Sequence, residues 1–210
     1  MRKIFATTFV SLDGVMQAPG GPEEDPEGGF DQGGWSVTYW DDRMGQVMTE
    51  FMGRPFDLLL GRKTYDIFAS HWPHASDEDG AGPINAATKY VVSTTLQEPV
   101  WGPAVVIDQD VPARIAQLKQ EDGPELQVHG SAQLLQTLIA NGLVDRYQIL
   151  IFPVLIGRGK RLFGDGVVPA GLRLVDSTTS STGVIIATYE PAGALKHGTF
   201  ALEQPAAELS

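Results

Sequence analysis

Three short stretches of the chain place a glycine or hydroxyls where an apolar run ends. Gly61-Arg62-Lys63-Thr64 follows Leu58-Leu59-Leu60 and precedes Tyr65, Ile67 and Phe68, so a turn and two cations stand at the start of a helix. The exposed N–H groups and the dipole of such a helix start attract phosphate, and the arginine fork matches phosphate geometry. Ser93-Thr94 closes the apolar run Lys89 to Ser93. Gly130-Ser131-Ala132 follows Leu126 to His129, with Ser131 in the position of an N-cap and first-turn amides suited to a pyrophosphate. Each has a plain structural explanation: a turn glycine with solvated cations, a strand end, a helix cap. Together they offer separate sites for the phosphates of a dinucleotide with an additional 2′-phosphate, which favours NADPH over NADH.

With such a cofactor the protein mainly orients the nicotinamide, and a carboxylic acid or water supplies the proton. Asp42 is the first candidate donor and Asp13 the second, beside Asp41 and Glu50; Asp13 also suits a turn, and Asp41 or Asp42 a helix cap. Other constellations carry less. His71-Trp72-Pro73-His74, followed by Asp77, Glu78 and Asp79, has metal-ligating residue types, but Pro73 breaks the helix that would align the histidines, so no metal site is assigned. His129 and Ser131 lack the elbow of a hydrolase nucleophile. Gly157-Arg158-Gly159-Lys160 has neither P-loop spacing nor a third dinucleotide glycine, and reads as a loop bordering the site or a subunit contact.

The positioning elements follow from periodicity. Residues 3 to 10 form a strand that exits through Ser11-Leu12-Asp13-Gly14. Residues 17 to 35 hold six glycines, three prolines and five acids, too little apolar surface to fold alone: a long functional loop or a mobile excursion. Phe30, Trp35, Tyr39 and Trp40 at its end are expected to close over something. Met44, Val47, Met48, Phe51 and Met52 share a helix face capped by an acid, and a loop is expected around 71 to 85. Val105 to Ile107 is a strand, Asp110 caps a helix with Val111, Ile115 and Leu118 inward, and Leu134, Leu135, Leu138 and Ile139 form another before Asn141-Gly142. Arg146 to Ile156 and Gly183 to Tyr189 are expected to pair antiparallel. The sum is an α/β fold of three layers, α/β/α, with about eight mostly parallel strands, four helices and an antiparallel C-terminal edge. No internal repeat is visible. Residues 1–190 form the domain, and 191–210 a loosely held tail.

In combination and order, these motifs resemble the dihydrofolate-reductase-like family that includes the C-terminal reductase domain of riboflavin biosynthesis. The resemblance covers residues 2 to 190 and rests on Ser11-Leu12-Asp13-Gly14, Leu60 to Tyr65, Val128-His129-Gly130-Ser131, Gly142-Leu143-Val144-Asp145 and Phe152 to Phe163. It implies NADPH-dependent hydride transfer to a small substrate such as a pterin or a ribosylamino- or ribityl-pyrimidine. Gly61, Arg62, Lys63, Thr64, Ser93 and Thr94 would surround the adenosine phosphates. Gly130 and Ser131 would hold the pyrophosphate, with His129, Ala132 and Leu134 beside them. Thr8, Val15 and Met16 would face the nicotinamide. Members often have a Gly-Gly pair where this chain has Gly130-Ser131. A non-catalytic dinucleotide-binding protein is the competing reading.

Composition narrows the partners. A formal charge of -11 repels phosphate backbones and anionic lipid, so neither nucleic acid nor membrane is expected. An anionic cofactor remains compatible, because net charge is screened beyond about 10 Å while a helix end acts locally. No cysteine is present, which excludes thiolate chemistry. The N-terminus has no signal-peptide core, and no apolar run reaches the roughly 20 residues of a membrane span, so a cytoplasmic protein is expected. The apolar strand Ile149 to Ile156 would leave a hazardous edge or face unless a second copy covered it, which favours a homodimer.

Overall fold

The computed structural model describes residues 1–77, 80–164 and 167–200. One eight-stranded sheet organises them. The strands are β1 (Ile4–Ser11), β2 (Phe56–Gly61), β3 (Lys89–Val92), β4 (Ala104–Ile107), β5 (Glu125–His129), β6 (Arg146–Phe152), β7 (Ala170–Thr179) and β8 (Ile185–Ala194). Their order is β4-β3-β2-β5-β1-β6-β8-β7. β1 to β6 are parallel to their neighbours within that set, and β8 pairs antiparallel with both β6 and β7.

Parallel neighbours need crossovers, and helices supply them. α1 (Asp42–Met52), α2 (Arg62–His71) and α3 (Ala81–Ala86) lie on one face, α4 (Val111–Gln120) and α5 (Ala132–Ala140) on the other. Alternation along the strands feeds both layers. Ile4, Ala6, Val10, Leu126 and Val128 pack against Ile115 and Leu118 of α4 and Leu134, Leu135 and Leu138 of α5. Leu58, Leu60 and Val91 meet Tyr65 and Ile84 on the opposite face, and Leu150, Phe152 and Ile186 meet Met44 and Val47. The three layers and the antiparallel edge are therefore present as expected.

Several local expectations need correction. α3 occupies part of the stretch read as a loop; Gly82 and Pro83 hide its pattern, and Ala81 and Ile84 hold it by burial. β7 carried no signal because most of its residues are exposed, leaving no alternation to read. β6 stops at Phe152, before Pro153, rather than at Ile156, and it is an interior strand; the sheet edge is β7. β8 continues to Ala194, past the expected boundary at 190, and residues 201–210 lie outside the described residues. Asp110 does not cap α4: it takes φ 45° with no side-chain cap, and Pro112 sits in the first turn instead. Asp41 does cap α1, accepting from Met44 N at 3.0 Å.

The amino-end edge of the sheet is fastened by a buried charge. Arg2 is 3% exposed; it donates to Pro124 O and Tyr90 Oη and pairs with Asp57, which also accepts from Thr88 N. Removing Arg2 would leave Asp57 buried without its counter-charge. Arg2→Ala should therefore lower unfolding stability by about 3 kcal/mol in a urea titration, with the native spectrum retained.

Candidate functional site

Chain direction puts the carboxyl ends of β1, β2, β3, β5 and β6 along one edge, and the two glycine turns meet there. Ser131 joins them. Its Oγ accepts from Gly61 N at 2.9 Å and donates to Thr64 Oγ1 at 2.6 Å, tying the start of α2 to the start of α5. A Cβ on Gly61 would lie 3.2 Å from both Ser131 Cβ and Oγ, so glycine allows this approach. The expected cap is absent: Ser131 holds the N-cap position of α5 but makes no capping bond, and α2 also starts without a side-chain cap. Two uncapped helix starts thus lie side by side. Ser131 has φ 66°, a left-handed conformation that suits glycine and that its two cross-bonds hold in place. Gly130, at φ 79°, has nothing within 4 Å of an added Cβ, so space is open on that side of the turn, while its N–H donates to Thr7 O at 3.3 Å.

The cations of the first turn have protein partners. Arg62 Nε bonds both oxygens of Asp66, at 2.9 and 2.8 Å, and its Nη1 reaches Thr95 Oγ1 at 3.4 Å. Lys63 and Lys160 each bond both Asp25 and Glu27, at 2.5 to 2.9 Å. Burial opposes the charge of Lys63, but these carboxylates hold its pKa well above the ordinary lysine value. Ser93 Oγ accepts from Thr95 N and Leu96 N, closing the turn after β3, while Thr94 is exposed at that exit. Thr8, Val15, Met16 and Leu134 are buried, Met16 and Leu134 in the main apolar cluster and Val15 against Ala18 and Phe30, and Ala132 packs at the margin of the main cluster.

The long loop is held by a network of hydrogen bonds. Gln17 is its hub: Nε2 donates to Asp25 O and Glu27 O, Oε1 accepts from Lys160 N, and its carbonyl accepts from Trp35 Nε1. With the two lysines this makes a strap across the carboxyl edge, from the start of α2 to the Gly157-to-Lys160 loop. That loop is tied to the strap through Lys160 and Gln17. Gly159, at φ 125°, leaves no room for a side chain: a Cβ would lie 2.9 Å from Val15 and 3.0 Å from Phe30.

A patch of polar side chains interrupts the apolar sheet face: Thr7 and Gln127 are buried, His129 and Gln148 half-buried. Thr7, Gln127, His129 and Gln148 share the sheet face between α1 and α2, with Phe9 above them. Thr7 Oγ1 donates to Gln148 Oε1 at 3.3 Å, Gln127 Nε2 donates to Phe51 O at 2.9 Å, and Gln127 Oε1 lies 3.1 Å from His129 Nε2. The His129 ring packs against Phe51 and Phe68 at 5.6 and 5.9 Å. Burial pushes its imidazole down to about 4, so it is neutral at physiological pH. Sequence reading named only His129 here. The alternation Glu125, Gln127, His129 on a central strand was the signal that could have found Gln127.

Neither candidate proton donor is poised over this patch. Asp13 accepts from Ser11 Oγ, Ile156 N and Gly157 N, and its pKa falls to about 2, the Ser11 hydrogen bond being the largest cause. It is ionised and clamps two loops together. Asp42 is exposed in the first turn of α1, bordering an open depression of about 500 Å³ with Asp41, Arg43, Gln46 and Ser181 on the flank beside the β7–β8 turn. His71 precedes and His74 ends a 3-10 turn at Trp72–His74; Glu78 and Asp79 lie outside the described residues.

The sequence profile of the RibD C-terminal domain matches residues 2–186. The chain belongs to the RibD C-terminal domain family. The uncharacterized protein YyaP of Bacillus subtilis strain 168 is 30% identical over 192 residues, which cover 90% of this chain and 94% of YyaP. Among solved structures, a putative riboflavin biosynthesis protein from Shewanella sp. PV-4 superposes with a TM-score of 0.64 at 20% identity, over 90% of this chain and 98% of that one. Dihydrofolate reductase from Enterococcus faecalis, complexed with NADP(H), superposes with a TM-score of 0.57 at 14% identity, over 90% and 96%. This RibD C-terminal domain thus has a dihydrofolate-reductase-like fold.

The buried neutral imidazole makes acid stability diagnostic. An unfolded chain takes up a proton at His129 near pH 6.5, while the native state resists until about 4, so stability is lost as pH falls through that window. NMR titration should show a His129 midpoint near 4. His129→Phe should flatten the acid limb of stability by up to about 3 kcal/mol.

Proposed function

We propose that the protein is an NADPH-dependent reductase of a small heterocyclic substrate, a pterin or a ribosylamino- or ribityl-pyrimidine. The observation that carries this reading is the pair of uncapped helix starts, α2 and α5, bridged by Ser131 beside the open space at Gly130. Adjacent helix N-termini with little side-chain bulk suit a pyrophosphate. Arg62 and Thr94, at the exits of β2 and β3, suit the 2′-phosphate. Family membership and the likeness to reductase folds support the same assignment.

The cofactor supplies the hydride. The chain's own groups would hold it at the carboxyl edge, and of the polar patch His129 and Gln148, half-buried where Thr7 and Gln127 are covered, would face the substrate. Asp13 is ionised and His129 neutral, so neither has a proton to give at neutral pH, and water entering the cleft serves as the donor. That lack of a poised acid is the observation behind the second reading, a dinucleotide-binding protein without turnover; substrate-dependent NADPH oxidation excludes it.

The protein is further proposed to form a homodimer through the β7–β8 side rather than through β6. Leu172, Leu174, Val175 and Ile185 are 42 to 51% exposed there, beside the open edge of β7.

Two measurements follow. Calorimetry should give micromolar NADPH binding, and Arg62→Ala should weaken NADPH on the order of tenfold while leaving NADH nearly unchanged, as expected for one charge-assisted contact to the 2′-phosphate. Equal loss for both cofactors would place the 2′-phosphate elsewhere. Light scattering should give twice the 22.6 kDa chain mass, falling to one chain in Leu174→Asp.

A further inference from the structure

The aromatic residues of the long loop have different fates. Phe30 is buried against Val15 and Ala18. Trp35 packs edge-on to Phe152 and donates its N–H to Gln17 O, and Tyr39 packs edge-on to the same ring. Trp40 remains 49% exposed, and its indole N–H has no partner among the described residues. It is nonetheless placed. Its ring centroid lies 6.3 Å from that of Phe9 on β1, and its Nε1 would be 4.0 Å from a Cβ on Gly45, so it stands where α1 begins, above the upper end of the polar patch. Phe9 follows Thr7 by two residues on the same face. Thr7 occupies Gln148 Oε1, leaving the Gln148 amide NH2 without a partner among the described residues.

We infer that Trp40 is a specificity-determining residue that stacks on a planar heteroaromatic substrate, while the Gln148 amide donates to an acceptor on the ring edge. This rests on the reductase reading for the site, though not on its cofactor. An exposed indole gains by covering its face with a flat ring, and the Gln148 carboxamide, on the strand paired with that of Phe9, would orient that ring without demanding a charged substrate. Non-planar carbonyl compounds meet the same donor but lose the stacking.

The test is calorimetric titration of the purified protein with uracil as planar probe and 5,6-dihydrouracil as its saturated counterpart, with NADPH titrated separately. The planar probe should bind more tightly than the saturated one. Trp40→Leu, which keeps apolar bulk without a π face, should weaken the planar probe on the order of tenfold, and Trp40→Phe less than threefold. Both variants should keep wild-type NADPH affinity and melting temperature. Planar-probe affinity unchanged in Trp40→Leu, or no preference for the planar probe in the wild type, overturns the inference. Trp40-dependent probe binding in a protein that does not bind NADPH sustains the inference and overturns the cofactor assignment instead.

Discussion

β1 is paired in parallel on both sides, with β5 along Ile4 to Thr7 and with β6 along Phe5 to Ser11. That pairing is the constraint from which the rest follows. A strand with parallel neighbours on either side cannot be reached by hairpins, so the chain must cross over through helices, and every crossover leaves from the same edge. The glycine turns at 61 and 130, the Asp13 turn and the Gly157-to-Lys160 loop are brought together for this reason, although as much as 146 residues separate Asp13 from Gly159 along the chain. The same geometry spaces α1 and α2 apart, over β6 and β2, and leaves the inner face of β5 and β1 to polar residues.

Charge organises the edge that topology creates. Asp25 and Glu27 bring acids of the long loop onto Lys63 and Lys160, cations from two different parts of the sheet. Asp25 is only 7% exposed, and its neutralisation by two ammonium groups is what allows that burial. In this structure the lysine beside the α2 helix start is thus neutralised by the protein itself, which leaves the backbone amides best placed for phosphate, with Arg62 reaching it only in competition with its exposed Asp66 pair. A chain of net charge -11 can hold an anionic cofactor on such terms, because helix ends and one guanidinium act over a few ångströms.

Much of this was legible in the residues. The strand-turn-helix units at 58 to 68 and 126 to 139, the Asp41 cap and the antiparallel pairing of β6 with β8 follow from periodicity and turn chemistry. What escaped depends on partners remote in sequence. Nothing near Gln17 marks it as a hub, since its bonds run to Lys160 and Trp35. Ser131 looks like a cap because a serine before a helix usually is one; here Gly61 and Thr64 claim its hydroxyl. Asp13 looks like a candidate acid until Ile156 and Gly157 are seen to donate to it. β7 was invisible because an exposed edge strand has no buried face to impose alternation.

The central claim is that the start of α2 and the start of α5 form one anion-holding cradle. Its most direct test is amide chemical-shift mapping of the full chain during NADPH titration. The largest changes should fall on Gly61, Arg62, Gly130, Ser131 and Ala132, with residues around Asp42 and Ser181 unmoved. Shifts centred on the Asp42 and Ser181 depression, or none at the two glycine turns under saturating NADPH, would contradict it.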